Sequence, residues 1–248
     1  MSAWCVIPAR WGSERFPGKA LADLCGAPLV VRVAQAAANA GLFKSVVVAT
    51  DDKRIADAVA AAGLKAVMTS PEHRSGTDRV AEAVGRLKLS QEDVVVNLQG
   101  DEPFISPASL VELVGAFADP AVEMATLAHH ETDRGHISDP SVVKLLVDGK
   151  GDALYFSRAP IPGNRDGSTP PEVLRHIGVY AFRKAALARF VALPKGRLEE
   201  HEGLEQLRAL EAGMKIRVVL TAHPSFGVDT PPQMEEARRR WKETEGGR

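Results

Sequence analysis

The run Val94-Val95-Val96, continued by Asn97 and Leu98, constrains the fold more than any other stretch of the chain. A strand with one wet face alternates apolar and polar residues, whereas an unbroken β-branched run has to be covered on both faces. That is the condition of a strand in a parallel sheet with helices above and below. Residues 4–7 and the run Val46-Val47-Val48 have the same texture. Helical patterns separate them: Leu29, Val30, Val33 and Ala37 lead up to Gly41, and Asp51-Asp52 opens a second helix through Ile55, Val59 and Ala62 to Gly63, with Asp51 read as an acidic N-cap. Residues 65–69 form a weaker strand, followed by a helix over 80–87. This alternation predicts an α/β sandwich, whose ligands gather beyond the carboxyl ends of the strands.

Those strand ends carry chemically loaded segments. After the first comes Pro8-Ala9-Arg10-Trp11-Gly12-Ser13-Glu14-Arg15-Phe16-Pro17-Gly18-Lys19. Glycines let backbone N–H groups approach an anion, and Arg10, Arg15 and Lys19 supply charge-assisted bonds to its oxygens. The loop suits a phosphate but is not a Walker A loop. Five residues, not four, separate Gly12 from Gly18, and Ala20 stands where that motif needs a magnesium-binding Ser or Thr. After the third strand, Ser75-Gly76-Thr77 sets hydroxyls around a glycine at a helix start, a natural site for a polar group, although Thr77 would also serve as an ordinary cap. The Val94 run leads straight into Gln99-Gly100-Asp101-Glu102-Pro103. A carboxylate just beyond a central strand is well placed to hold magnesium over a nucleotide phosphate, because that ion takes hard oxygens and only one or two protein carboxylates. Asp101 is the first metal ligand expected.

Ser106-Pro107 caps another helix through Leu110, Leu113, Val114 and Phe117, and from Val122 the texture changes. Residues 124–128, 142–147 and 153–156 read as strands, with Asp148-Gly149-Lys150-Gly151 as a hairpin turn. His129, His130 and His136 read as surface residues. Residues 157–171 form a long Pro- and Gly-rich loop, mobile but anchored at its base by Arg158. Over 175–182 the chain alternates so that His176, Gly178, Tyr180 and Phe182 share one face. Helices follow over 187–193 and 202–213, the second with Glu205 and Gln206 beside its apolar seam. A strand over 216–220 leads to the capping box Thr230-Pro231-Pro232-Gln233 and a last helix through Met234, Ala237 and Trp241.

A formal net charge of −1 argues against a general nucleic-acid binder or an acidic-membrane binder. Cys5 and Cys25 have no metal-ligand spacing and read as free thiols, and no signal core or bilayer-length apolar run is present, so a cytoplasmic protein without direct membrane binding is expected.

Taken in order, the loop over 8–19, His73 with Ser75-Gly76-Thr77 and Arg79, Gln99-Gly100-Asp101-Glu102-Pro103, Tyr155-Phe156-Ser157-Arg158 with Ile161-Pro162, Arg175-His176, Leu204-Glu205-Gln206-Leu207-Arg208 and Gly227-Val228-Asp229-Thr230-Pro231 strongly resemble the 3-deoxy-manno-octulosonate cytidylyltransferase (CMP-Kdo synthetase) family, collinearly over almost the whole chain. The resemblance implies transfer of CMP from CTP to the acidic eight-carbon sugar Kdo, with release of pyrophosphate, on the way to lipopolysaccharide. It implies a mostly parallel, Rossmann-like α/β sandwich of the nucleotide-diphospho-sugar transferase type, with an inserted mixed sheet for the sugar and for a homodimer interface. In a single domain, residues 1–121 and 214–248 would form mainly the nucleotide-binding core and 122–213 mainly the sugar-binding and dimerisation part.

The same resemblance implies the site. Pro8, Ala9, Arg10, Ser13, Arg15, Lys19, Arg74, Ser75, Gly76, Thr77, Arg79 and Gly100 would bind the nucleotide, with Arg10, Arg15 and Lys19 on the triphosphate and Ser75, Gly76 and Thr77 around the cytidine. Gln99, Arg158, His176, Tyr180, Glu205 and Gln206 would receive the sugar. Asp101 and Asp229 would bind magnesium, and Arg10, Lys19, Asp101 and Asp229 form the catalytic set. Metal ions there would neutralise the phosphates and acidify the attacking hydroxyl.

Trp11 departs from the family's usual tyrosine, Glu14 from its threonine or serine, and Arg74 from a frequent glutamine. Glu14 is expected to point outward, and Arg74 to add a phosphate or base contact. Other readings are a transferase for a neutral sugar phosphate, for sialic acid or for an 8-amino Kdo analogue, and a catalytically silent nucleotide-binding regulator. The Arg158 and His176 set opposes a neutral substrate, and the presence of both Asp101 and Asp229 opposes silence.

Overall fold

The computed structural model describes residues 1–13, 15–163, 165 and 173–245. Glu14 and, in the loop expected to be mobile over 157–171, residues 164 and 166–171 therefore lie outside the described residues. The chain begins β1 (Ala3–Ala9), α1 (Leu29–Asn39), β2 (Phe43–Thr50), α2 (Lys53–Ala61), β3 (Lys65–Met68), α3 (Gly76–Arg86), β4 (Val94–Asn97) and α4 (Pro107–Gly115). It continues β5 (Met124–Glu131), α5 (Arg134–Ser138), β6 (Lys144–Val147), β7 (Ala153–Ser157), β8 (Val173–Arg183), α6 (Lys184–Val191), α7 (Arg197–Glu202), α8 (Leu207–Glu211), β9 (Arg217–Leu220) and α9 (Pro231–Glu245).

Strands β3, β2, β1 and β4 lie side by side, all parallel. The expectation of cover on both faces holds residue by residue. Cys5, Ile7, Val94 and Val96 pack into one cluster with α1 and α4, while Trp4, Val6 and Val95 pack into another with Val80 and Val84 of α3 and Phe190 of α6. Each fully buried valine or isoleucine contributes roughly 1.5–3 kcal/mol relative to exposure, which is why polar residues are absent from these runs.

Strand β8 joins the nucleotide half of the sheet to the inserted strands. Near its end it pairs antiparallel with β4, from Asn97 against Tyr180 to Val94 against Arg183. Near its start, Leu174 and Arg175 pair with Leu145 and Lys144 of β6 on the same edge, and β5 runs along the other edge. The sheet is thus continuous through both halves, with β9 parallel to β5.

Several local expectations shift. Pro8 and Ala9 still belong to β1, pairing with Ala49 and Thr50. Helix α3 begins at Gly76, four residues earlier than expected, and its cap is Ser75, whose Oγ accepts from Asp78 N at 3.0 Å, not Thr77. Asp52, not Asp51, caps α2. The helix expected over 202–213 is broken: Gly203 adopts a left-handed φ of 63° that ends α7, so Glu205 and Gln206 lie in the turn before α8. The alternation over 175–182 is interrupted by a bulge, since Thr126 pairs with Tyr180 but Leu127 with Ile177. The His176 and Tyr180 rings nevertheless lie 5.4 Å apart.

Candidate active site

The ends of β1 and β4 and the start of α3 meet around Pro8. A side chain on Gly100 would place Cβ 2.9 Å from the Pro8 carbonyl oxygen, so this approach of backbone to backbone requires glycine. Gly76 similarly faces the Pro8 ring. Together these segments wall a cleft of about 450 Å³.

The loop after β1 is strapped down. Trp11 O accepts from Ser13 N at 2.9 Å and Gly18 N at 3.3 Å, and Gly18, at a φ of 71°, leaves room for the indole, which a Cβ there would approach to 3.1 Å. The Arg54 guanidinium stacks 3.5 Å from the indole centroid and is itself bound by both oxygens of the cap residue Asp52. The first turn of α2 therefore holds the loop after β1 through Trp11.

At the cleft, Lys19 Nζ lies 2.6 Å from Asp101 Oδ2 and 2.9 Å from Asp229 Oδ1, and Arg15 Nη2 lies 3.1 Å from the same Asp229 oxygen. Burial works against the Lys19 ammonium, but the two carboxylates outweigh it and raise its pKa. Burial would raise the Asp229 pKa, and the hydrogen bond and charge of Lys19, with Arg15, lower it on balance. Asp229 reaches this point because Val228 N donates to Asp101 O at 2.8 Å, while Gln233 Oε1 accepts from the backbone N–H groups of Asp229 and Thr230. Ser225 Oγ also donates to Glu102, tying the same segment to the end of β4. Two carboxylate oxygens from remote parts of the chain thus converge on one cation. This hard-oxygen pair, with the ammonium as stand-in ion, suits magnesium, which fills its remaining positions with phosphate oxygens and water. Among the described residues no third carboxylate, histidine or cysteine completes an all-protein cage.

The cleft brings together Pro8, Ala9, Arg10, Ser13, Arg15, Lys19, Arg74, Ser75, Gly76, Arg79, Gln99, Gly100, Asp101 and Asp229. Arg10 and Arg74 are exposed there, free to meet an anion. Arg79 is committed: its guanidinium binds Thr69 Oγ1 at 2.7 Å and Asp51 Oδ2 at 3.1 Å, so it braces the wall. His73 also lines the cleft, paired with Glu82, although it was not among the expected site residues. Its place just before the Ser75-Gly76 turn was the available signal. Thr77 is buried and does not line the cleft.

Thr77 points instead toward Glu205, where the expected sugar residues begin. Thr126 Oγ1 has one proton, given to Val179 O at 2.8 Å, so the contact at 2.9 Å is His176 Nε2–H donating to Thr126. Burial between the Phe156 and Tyr180 rings lowers the His176 pKa to about 3 and keeps it neutral. Burial, with the nearby Glu205 charge, raises the Tyr180 hydroxyl. Burial also raises the Glu205 carboxyl, against the hydroxyls of Thr77 and Ser75. Arg158 is held by backbone carbonyls, with Nε 2.7 Å from Glu202 O and Nη1 3.0 Å from Pro140 O. None of Arg158, His176, Tyr180, Glu205 and Gln206 lines the cleft; the His176 and Tyr180 rings meet, Glu205 faces Tyr180, and Arg158 binds the backbone at Glu202.

The cytidylyltransferase family model matches residues 4–216. The chain is 53% identical, over 94% of each sequence, to the 3-deoxy-manno-octulosonate cytidylyltransferase of Anaeromyxobacter sp. (strain Fw109-5). It is 47% identical to the 8-amino-3,8-dideoxy-manno-octulosonate cytidylyltransferase of Shewanella sediminis (strain HAW-EB3), covering 97% of this chain and 98% of that one. The solved structure of a CMP:2-keto-3-deoxy-manno-octonic acid synthetase complexed with CTP superposes with a TM-score of 0.92 at 42% identity, covering 98% of this chain and all of the other.

Proposed function

This chain belongs to the 3-deoxy-manno-octulosonate cytidylyltransferase family, and from that premise we propose how its residues transfer CMP from CTP to Kdo. The observation that carries the reading is the Lys19 ammonium held between Asp101 and Asp229 at the mouth of a cleft lined by Arg10, Arg15 and Arg74. A triphosphate brings charge of its own to this point. Lys19 would then pair with phosphate oxygens, and Asp101 and Asp229 are the residues that would hold magnesium.

In the reaction the anomeric hydroxyl oxygen of Kdo bonds to the α-phosphorus as the bond to the pyrophosphate oxygen breaks, so negative charge grows on the leaving group. Arg10, Arg15 and Lys19 stabilise that charge from positions fixed beforehand, which avoids reorganisation at the moment of transfer. Magnesium, when bound by Asp101 and Asp229, supplies Lewis-acid charge neutralisation at the phosphates. Gly100 and Gly76 keep the cleft narrow enough for backbone groups to meet the nucleotide. Arg158, His176, Tyr180, Glu205, Gln206 and Gln99 receive the sugar. The neutral imidazole and the carboxylate sort its hydroxyls, and Arg158 supplies the cation.

The product serves lipopolysaccharide synthesis in the cytoplasm. No helix among the described residues is long and apolar enough to cross a membrane. A homodimer through the inserted strands is the assembly expected, and Leu154 on β7, 59% exposed, is an apolar side chain such an interface would cover.

The test is pyrophosphate release with CTP, magnesium and Kdo, run beside other nucleoside triphosphates, sialic acid and the 8-amino analogue. Release with CTP and Kdo well above every other pair is expected. No release from that pair sinks the reading, and faster release with the 8-amino sugar reassigns the substrate.

A further inference from the structure

Thr77 stands in the first turn of α3 and is 4% exposed. Its hydroxyl has a single proton to give. Asn97 Nδ2 can only donate, so at 3.2 Å it gives a hydrogen to Thr77 Oγ1, and the threonine proton goes to Glu205 Oε2 at 2.6 Å. Asn97 is held in that orientation by Gln99, whose Nε2 donates to Asn97 Oδ1 at 3.1 Å. The three bonds point one way, from the wall of the nucleotide cleft into the Glu205 carboxylate.

The chain of donors ends in groups that still lack hydrogen-bond partners. The Ser75 hydroxyl also faces the Glu205 carboxyl, yet Glu205 Oε1 has no hydrogen-bond partner among the described residues, and neither has Nε2 of the neighbouring Gln206, a residue only 5% exposed. Unmade hydrogen bonds at buried positions are rare because they are costly, and a ligand that supplies both a donor and an acceptor removes the cost. An alcohol does both. A competitor also stands nearby: Arg208 Nη2 lies 4.0 Å from Glu205 Oε1. A small rotation of the carboxylate would pair the two and leave nothing for a ligand. The bond from Thr77 opposes that rotation.

We propose that Thr77, backed by Asn97, is a positioning residue that holds the Glu205 carboxylate with Oε1 beyond hydrogen-bond reach of Arg208 and available to a hydroxyl of the acidic sugar. The proposal rests on the reading of the chain as a Kdo cytidylyltransferase. It moves Thr77 from the cytidine, where the resemblance had put it, to the sugar. The same helix start that lines the cleft through Ser75 and Gly76 thus carries Thr77 to Glu205 on its inner side.

The test compares steady-state constants for both substrates in wild type, Thr77→Val and Thr77→Ser. Valine keeps the shape and removes the hydroxyl, so KM for Kdo is expected to rise about tenfold or more, with KM for CTP changed less than about twofold. Serine keeps the hydroxyl and is expected to stay near wild type. In a Glu205→Leu background, Thr77→Val is expected to add nothing, because the group it positions is gone. Thr77→Ala provides a second hydroxyl-free variant if circular dichroism shows that the valine protein does not fold. An unchanged KM for Kdo in an active hydroxyl-free variant overturns the proposal, as does a shift confined to CTP or a serine variant that behaves like valine. Failure of the wild type to release pyrophosphate from CTP and Kdo defeats the functional reading instead, and the two failures are separable in one assay series.

Discussion

At the charged end of the site, Lys19 lies between Asp101 and Asp229 with Arg15 beside them, so the charges already satisfy one another. Around Glu205 and Gln206 the opposite holds: polar atoms are buried and lack partners. The first region is wet and highly charged, and a ligand entering it exchanges one set of ion pairs for another. In the second the unpaired atoms Glu205 Oε1 and Gln206 Nε2 are themselves shut from water, and a ligand reaching them makes hydrogen bonds that nothing else makes. Binding at the first should therefore depend on metal and ionic strength, since exposed pairs are screened by salt, while binding at the second should depend on shape and on single hydroxyls.

The largest effect should come from breaking the charged end. Asp101→Ala and Asp229→Ala each remove one arm of the clamp and strand the Lys19 ammonium on a single carboxylate, so pyrophosphate release is expected to fall by about a hundredfold or more in each. Near-normal turnover in either variant would show that the contrast lies elsewhere. A smaller effect is expected from the strap on the loop. Trp11→Ala removes the platform between Gly18 and Arg54, which should raise KM for CTP by about three- to tenfold and leave KM for Kdo unchanged. Trp11→Tyr, keeping an aromatic face, should restore most of the loss. If the alanine variant raised KM for Kdo instead, the two regions would not be separate.

The smallest effect belongs to the buried end and concerns stability. The His176 pKa is lowered from 6.5 to about 3 by burial in the folded protein. The unfolded chain therefore takes up a proton that the folded one refuses as pH falls below about 6.5. The stability contributed by the neutral imidazole is complete above that pH and is lost progressively toward pH 3. Replacing His176 by Gln, which cannot be charged, should flatten the fall of Tm between about pH 6.5 and pH 4. A slope equal to that of the wild type would mean that the imidazole is not shielded as its surroundings suggest.

How much of this was legible beforehand differs between the same two regions. The loop over 8–19, the Ser75-Gly76 turn and the Gln99-Gly100-Asp101 segment could be found because each directly follows a strand or opens a helix, and a parallel sheet brings such ends together. Asp229 was different. Nothing in its local sequence set it apart from an ordinary residue before a capped helix, and only the family resemblance singled it out. The bond from Val228 N to Asp101 O brings it in. Thr77, expected around the cytidine, is buried and does not line the cleft for a related reason. Its neighbours line the cleft, but a helix turns each successive side chain by about 100°, which carries Thr77 to the inner side.

The sequence by itself determined that the chain builds a parallel α/β core, because runs such as Val94-Val95-Val96 have no stable place except between two covered faces. It also determined which strand ends carry cations and which a carboxylate. The tertiary structure alone decided the pairings across long separations: Lys19 with Asp229, Trp11 with Arg54 and Thr77 with Glu205. The physical reason lies in range. Hydrophobic periodicity is a local property that survives reading along the chain, whereas a hydrogen bond or ion pair depends on distances of a few ångströms that exist only after the sheet has closed its register.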